Sequence, residues 1–155
     1  MKVRIVAVSH RQPAWVDAGV AEYAARLPRA WSFGVVEVRP APRDGGRSAS
    51  QILDAEATRI AAASAGHRIV ALDERGAALT TRRFADKLAQ WRDAGTDVDF
   101  VIGSADGLAE SVKANAAAVL ALSALTLPHG LARVLLAEQL YRAHSLLAGH
   151  PYHRA

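Results

Sequence analysis

The 155-residue chain has no cysteine. That excludes disulfides, thiolate zinc sites and a cysteine nucleophile, and it suits a reducing compartment. No apolar run approaches the roughly 20 residues a membrane span requires. The opening Met1-Lys-Val-Arg-Ile-Val-Ala-Val-Ser-His10 has an apolar run broken by Arg4 and no cleavage pattern, so it reads as a first strand, not a signal peptide. The expectation is a cytoplasmic protein with no membrane partner. There is no Walker A sequence and no Gly-x-Gly-x-x-Gly after the first strand. No internal repeat is present, and the one low-complexity stretch is the Pro/Gly loop Pro40-Ala-Pro-Arg-Asp-Gly-Gly-Arg-Ser48. Lysine is scarce: sixteen of the nineteen basic residues are Arg, in a chain of formal charge +4. Arginine forks match phosphate geometry, so a nucleic-acid partner is compatible with this balance, as is a plain composition bias. Acids are almost missing after Glu110, where Glu138 stands against Lys113, Arg133, Arg142 and Arg154, and four of the six histidines lie there too.

What remains alternates. β-Branched or apolar runs at Val3–Val8, Phe33–Val38, Arg68–Leu72, Val98–Ile102 and Ala118–Leu122 read as strands. Between them lie helical patterns: Trp15, Gly19, Tyr23 and Leu27 on one face before Pro28; an Ala-rich run opened by the capping box Ser48-Ala-Ser-Gln51; Phe84, Leu88 and Trp91 behind Thr81 as a cap and before Gly95; a short helix over 108–114; and a last helix over 131–148. This order predicts one domain over 1–155, of α/β class, with a mainly parallel sheet covered by helices on both faces. Ligands of such sheets bind at the carboxyl ends of the strands, which selects the loops after Leu72, Ile102 and Leu122. The last helix is apolar almost all round, with Leu131, Val134, Leu135, Leu136, Leu140 and Leu147, so its second face is expected to pack on another copy of the chain, the competing reading being a central helix in a larger monomeric core.

Three stretches draw chemical interest. Gly103-Ser-Ala-Asp-Gly107 follows a strand and precedes a helix, which suits either an ordinary turn or close approach of the backbone to a ligand. Ser123-Ala-Leu-Thr-Leu-Pro-His129 is nearly all apolar, unlike an exposed loop, and must be covered by the last helix or by a flat ligand such as an adenine ring. The tail His150-Pro-Tyr-His-Arg-Ala155 has no core-forming residues yet is rich in hydrogen-bonding and proton-transfer groups, so it reads as unpaired and available to a site. His150 and His153 have a metal-like spacing, but the absence of Cys and of a nearby acid argues against a metal. Glu138 and Arg142, four apart, read as a helix-surface pair.

Leu122-Ser-Ala-Leu-Thr-Leu-Pro-His129, Arg133-Val-Leu-Leu-Ala-Glu-Gln-Leu-Tyr-Arg-Ala143 and His150-Pro-Tyr-His-Arg154 closely resemble the ribosomal large-subunit pseudouridine-N3 methyltransferases, small bacterial members of the SPOUT superfamily. The likeness extends through the Val-Ala-Val of the first strand, Trp15, Glu22-Tyr23, Ile69–Asp73 and Val101-Ile-Gly103. It implies a SPOUT-type fold with a C-terminal trefoil knot, S-adenosyl-L-methionine as cofactor, a homodimer, and methylation of N3 of pseudouridine 1915 in the 23S rRNA of the ribosome. Carried onto this chain, the cofactor contacts are Leu72, Gly103, Leu122, Ser123, Ala124, Leu125, Thr126 and Leu127. His129, Tyr152 and His153 become candidates for handling or orienting the N3 proton, and Arg142 and Arg154 for contacts to phosphate or to the substrate carbonyls. The tail is expected to complete the site of the opposite subunit. The chain departs from the family pattern at Ser104, where a second glycine is usual, at Ser9-His10, where a Gly-Lys-like pair is common, and at His144, where Trp is usual.

Overall fold

The computed structural model describes residues 1–154, with His153 described in its backbone and not in its side chain. The chain runs β1 (Val3–Val8), α1 (Ala14–Ala24), β2 (Gly34–Val38), α2 (Ala49–Ala63), β3 (Arg68–Ala78), α3 (Thr81–Asp93), β4 (Val98–Ile102), α4 (Glu110–Asn115), β5 (Ala118–Ala121) and α5 (His129–Leu147), with 3-10 turns at Arg29–Trp31 and Pro151–Arg154. All five strands pair in parallel in the order β2-β1-β4-β3-β5. The alternating α/β order expected from the sequence is the order observed.

The period-two rule sorts the central strands between two cores. Val3, Ile5, Ala7, Val98, Phe100 and Ile102 pack with Phe84, Leu88 and Trp91 of α3 and with Leu136 and Leu140 of α5. Val6, Val8, Ala71 and Val101 pack with Ile60 of α2 and Val112 of α4 on the opposite face. β4 is buried at every position because it is covered on both faces and paired on both sides. α1 lies against α5, and the approach is close: a Cβ on Gly19 would stand 3.1 Å from Val134, and one on Gly130 would stand 2.8 Å from Val16.

Several boundaries differ from expectation for local reasons. The capping box at Ser48 and Gln51 forms in full. The cap of α3 is Thr80, not Thr81: Thr80 is extended and its hydroxyl accepts the Arg83 N–H, while the Thr81 hydroxyl donates to Gln139 across the α3–α5 contact. β2 starts at Gly34 rather than Phe33, and β5 ends at Ala121, where Ser123 begins to turn the chain by accepting the Leu125 N–H. α5 begins two residues earlier than expected, directly behind Pro128. The largest difference is β3, which does not stop at Leu72. Leu72 and Ala77 both pair with Leu120, so residues 73–76 are extruded and the strand resumes. Only glycine permits the return: a Cβ on Gly76 would lie 2.7 Å from the Leu120 backbone.

Candidate functional site

The loops after β3, β4 and β5 converge at the carboxyl edge of the sheet around a crevice of about 720 Å³. Of the eight residues expected to hold a cofactor, Leu72, Gly103, Leu122, Ser123, Leu125, Thr126 and Leu127 line it; Ala124 is exposed and does not. Pro128, His129 and Ala132 close its α5 side.

The loop after β4 is tightly built. Gly107 donates its N–H to Ser104 O at 2.9 Å, and a Cβ on Gly103 would come within 2.4 Å of Gly107 O. The left-handed backbone falls on Gly107 (φ +85°), not on Ser104, so a serine replaces the usual glycine without strain. Its hydroxyl donates to Glu56 Oε1 at 2.7 Å, while Glu56 Oε2 accepts the Ala41 N–H at 3.0 Å. Glu56 is 2% exposed. A buried carboxylate of α2 thus joins the crevice loop to the loop that follows β2.

The extruded segment of β3 forms the facing wall with Asp73, Glu74 and Arg75. Asp73 accepts the Arg75 N–H at 2.8 Å and pairs with Lys113 at 3.3 Å. These contacts hold its carboxyl below the usual range, against the opposing effect of burial. Glu110, in turn, is the larger cause of the raised Lys113 ammonium. Thr126 donates its hydroxyl to Glu74 Oε2 at 2.6 Å, spanning from the β5–α5 loop to the extruded segment. The sequence reading missed Asp73, Glu74 and Lys113. The available signal was Gly76, a glycine where the strand pattern fails.

His129 opens α5 with both ring nitrogens shielded and without a well-formed hydrogen bond. Burial lowers its pKa, with the nearby Arg133 charge acting the same way; the backbones of Val8 and Gly103 partly oppose the shift. Arg133 is buried at 1% exposure, bonded to the Ser9 hydroxyl and to Glu37 at 3.0 Å. His129 therefore faces inward, toward the strand ends, as a neutral imidazole.

The tail is not unpaired, contrary to its sequence reading. Tyr152 donates its hydroxyl to Glu138 Oε1 at 3.2 Å, its ring lies 4.6 Å from that of Tyr141, and the Arg142 guanidinium sits 5.0 Å from its centre. Glu138 also accepts from Arg142 at 2.8 Å and from Gln139 at 2.8 Å, which makes it the hub of this cluster. Burial and the Glu138 carboxylate push the Tyr152 phenol up to about 12. Arg154 is exposed, and the His153 side chain lies outside the described residues. The chain does not bring these groups to His129. Residues 138–142 lie about 13–20 Å farther along α5 at 1.5 Å per residue, so one chain carries the crevice and the tail cluster at opposite ends of one helix. The sequence reading reduced Glu138 to a surface partner of Arg142 and so missed its second role.

The family described as "Predicted SPOUT methyltransferase" matches residues 1–153. The chain belongs to the SPOUT methyltransferases. Among its relatives are proteins named "Ribosomal RNA large subunit methyltransferase H": that of Ralstonia pickettii is 50% identical over 155 residues and covers 99% of each chain, and that of Burkholderia mallei (strain SAVP1) is 52% identical over 156 residues and covers 100% of each. Solved structures share the fold at low identity. A probable methylase family protein from Haemophilus influenzae Rd KW20 aligns with TM-score 0.60 at 12% identity, over 97% of this chain and 69% of that one. TrmJ from Z. mobilis ZM4 aligns with TM-score 0.53 at 16% identity, over 94% and 70%.

SPOUT methyltransferases use S-adenosylmethionine, and the crevice fits it. Leu72, Ile102, Leu108, Leu122 and Leu127 provide apolar walls for a flat ring, within the roughly 300–1,000 Å³ typical of such sites. The charged lining is Asp73, Glu74, Asp106 and Glu110 against Arg75 and Lys113. A net negative lining in a chain of charge +4 suits a cationic sulfonium better than its neutral thioether product.

Proposed function

We propose that this chain methylates N3 of pseudouridine 1915 in 23S rRNA, acting in the cytoplasm on the ribosome as a homodimer with the trefoil-knotted C-terminal course of its family. The observation that carries this reading is the full-length match, at 50–52% identity, to relatives named as large-subunit rRNA methyltransferases. The arrangement of the site supports its dimeric form. Leu131 and Leu135 are 41% and 40% exposed, and with Glu138 and Arg142 they follow the i, i+4, i+7, i+11 stripe of α5. A two-fold axis perpendicular to α5 at this stripe would set the tail end of one α5 beside the crevice end of the other. The groups that one chain holds apart then meet in pairs, giving two composite sites.

Bound in the crevice, the cofactor supplies a methyl group on sulfur. Transfer to N3 would release a neutral thioether and the N3 proton, so this chain's residues would have to align N3 with the methyl group and take up that proton. The acidic lining and apolar walls hold the donor. Alignment of donor and acceptor is the larger contribution, since positioning can supply about 7–11 kcal/mol. Tyr152, its one hydroxyl proton donated to Glu138, offers the base an acceptor oxygen or a stacking surface. Arg142 and Arg154 face phosphate or the substrate carbonyls. His129, with its nitrogens turned inward, supports the Gly103 loop. His153 stands with His129 and Tyr152 among the candidates for handling or orienting that proton, a role that contributes about 10²–10⁴-fold.

Mass spectrometry of 23S rRNA from cells with and without the gene tests the reading. N3-methylated pseudouridine 1915 is expected only with the gene, and its persistence without the gene overturns the assignment. Removal of Tyr152–Ala155 is expected to abolish transfer while sparing cofactor binding. Mixing that truncation with a chain damaged in the cofactor loop is expected to restore activity; no restoration overturns the composite site.

A further inference from the structure

The Pro/Gly loop after β2 lines none of the crevice, yet it is more firmly built than its composition implies. Two side chains of α2 fasten its base. Arg59 donates to Arg39 O at 2.7 Å and to Pro40 O at 3.0 Å, and Glu56 accepts the Ala41 N–H. Its middle is pinned to the crevice rim, where Arg43 pairs with Asp106 at 2.9 Å. Its turn runs through Gly45 and Gly46, both at φ +71°, with open space where a Cβ would stand. Two exposed guanidinium groups flank this frame, Arg39 at its start and Arg47 at its end. Among the described residues neither has a carboxylate partner.

The placement separates charge by sign. The crevice lining is net negative, while the loop standing against its rim carries Arg39, Arg43 and Arg47 against Asp44. A cationic donor and a polyanionic acceptor strand thus find opposite fields side by side. At the far edge of the sheet, by contrast, Arg4 is engaged by Asp99, Arg26 by Glu22 and Arg92 by Asp93.

We propose that the 39–47 loop is a phosphate-contact surface for the RNA acceptor, with Arg39 and Arg47 neutralising backbone phosphates next to the target nucleotide. The inference rests on the rRNA reading above. Arg43 fixes the loop to Asp106, so the frame holds its position relative to the methyl donor. Such contacts position the acceptor and carry no sequence information. They release counterions on binding, so their loss appears in the salt dependence.

The test uses ribosomes from cells lacking the gene, labelled S-adenosylmethionine and the full-length protein. The variant R39Q/R47Q keeps Arg43 and its tie to Asp106. It is expected to raise the KM for ribosomes by roughly ten-fold and to make the slope of log affinity against log salt shallower by about 2. Its cofactor Kd, measured by calorimetry, should stay within about two-fold of the unsubstituted chain. R29Q/R68Q, on arginines away from the crevice, is the control expected to change neither. An unchanged KM and salt slope for R39Q/R47Q, or an equal change in the control, overturns the proposal. If the unsubstituted chain methylates no rRNA, the functional reading fails separately. Co-sedimentation with the same ribosomes then reads the surface by itself: loss of binding in R39Q/R47Q supports it, and full retention overturns it.

Discussion

Asp99 and Glu56 are buried almost equally, at 0% and 2% exposure, and are held in opposite ways. Asp99 sits near the amino end of β4, where Arg4 grips both its oxygens at 2.8 and 2.6 Å and His67 Nδ1 lies 3.0 Å away. Glu56 stands by the carboxyl edge and is held by two neutral donors, a backbone N–H and the Ser104 hydroxyl. Taking a carboxylate out of water is costly unless a cation or several donors replace the water. The Asp99 cluster meets that requirement with charge and fastens the closed edge of the sheet. Glu56 meets it with directed bonds to two loops, an arrangement whose benefit is placement of the crevice wall. Equal burial thus serves stability at one edge and geometry at the other.

Asp99→Ala is expected to give the largest effect. It leaves Arg4 and His67 without their buried partner, and breaking such a pair costs about 3–5 kcal/mol; the 23% exposure of Arg4 lets water return and favours the lower end. Denaturant unfolding should show this loss with the cofactor Kd little changed, because the rest of β4 separates residue 99 from the Gly103 loop. A loss of cofactor binding with stability intact would break the comparison. Glu56→Ala should do the reverse. Its cost in stability is smaller, about 1–3 kcal/mol for donors left unsatisfied, while calorimetry should show cofactor affinity weakened by roughly ten-fold as the crevice loop loosens. Ser104→Ala removes one of the two bonds, about 1 kcal/mol, and should weaken cofactor binding less. If the contact is the cause, the double variant adds little to Glu56→Ala, and a fully additive result separates the two residues.

The sheet was legible because its signals are local. Continuous apolar strands, the Ser48–Gln51 capping box and Gly95 each follow from neighbours in sequence. The three strand-end loops were legible too, since parallel topology places them together. What was not legible depends on contacts between distant segments. The extrusion at 73–76 arises from the pairing of Leu72 and Ala77 with the same residue of β5, and only Gly76 hinted at it. Ser104 looked like a defect in a glycine loop because its partner is 48 positions away. The tail looked unpaired because Tyr152 meets Glu138 only after the turn at Gly149 and Pro151 folds it back onto α5. Sequence spacing shows which groups are present at an edge, but not which of them satisfy one another.

The last expected effect, graded and not abrupt, is in the pH dependence of stability. Burial lowers the pKa of His129 and of His144, the latter with help from His150 and Arg92. Imidazoles of the unfolded chain titrate near 6.5. As pH falls below that value the unfolded state takes up protons first, so stability is complete above about pH 6.5 and declines on acidification. The slope is at most one proton per histidine, about 1.4 kcal/mol per pH unit. Asp73 and Asp97, whose pKa values are lowered, add their own loss only where unfolded carboxylates titrate, near pH 4 and below. The interval from pH 6.5 to about 4.5 therefore isolates the histidines. Urea unfolding across it should show a slope that His129→Asn reduces. Because His129 stands at the open edge against the Gly103 loop, the same variant should also weaken cofactor binding. His144, stacked edge-on to Trp31 at 5.4 Å inside the α5 packing, should alter the slope without touching cofactor affinity when changed to Trp. Equal effects of both variants on the cofactor would show that the crevice responds to helix packing in general rather than to the group at its wall.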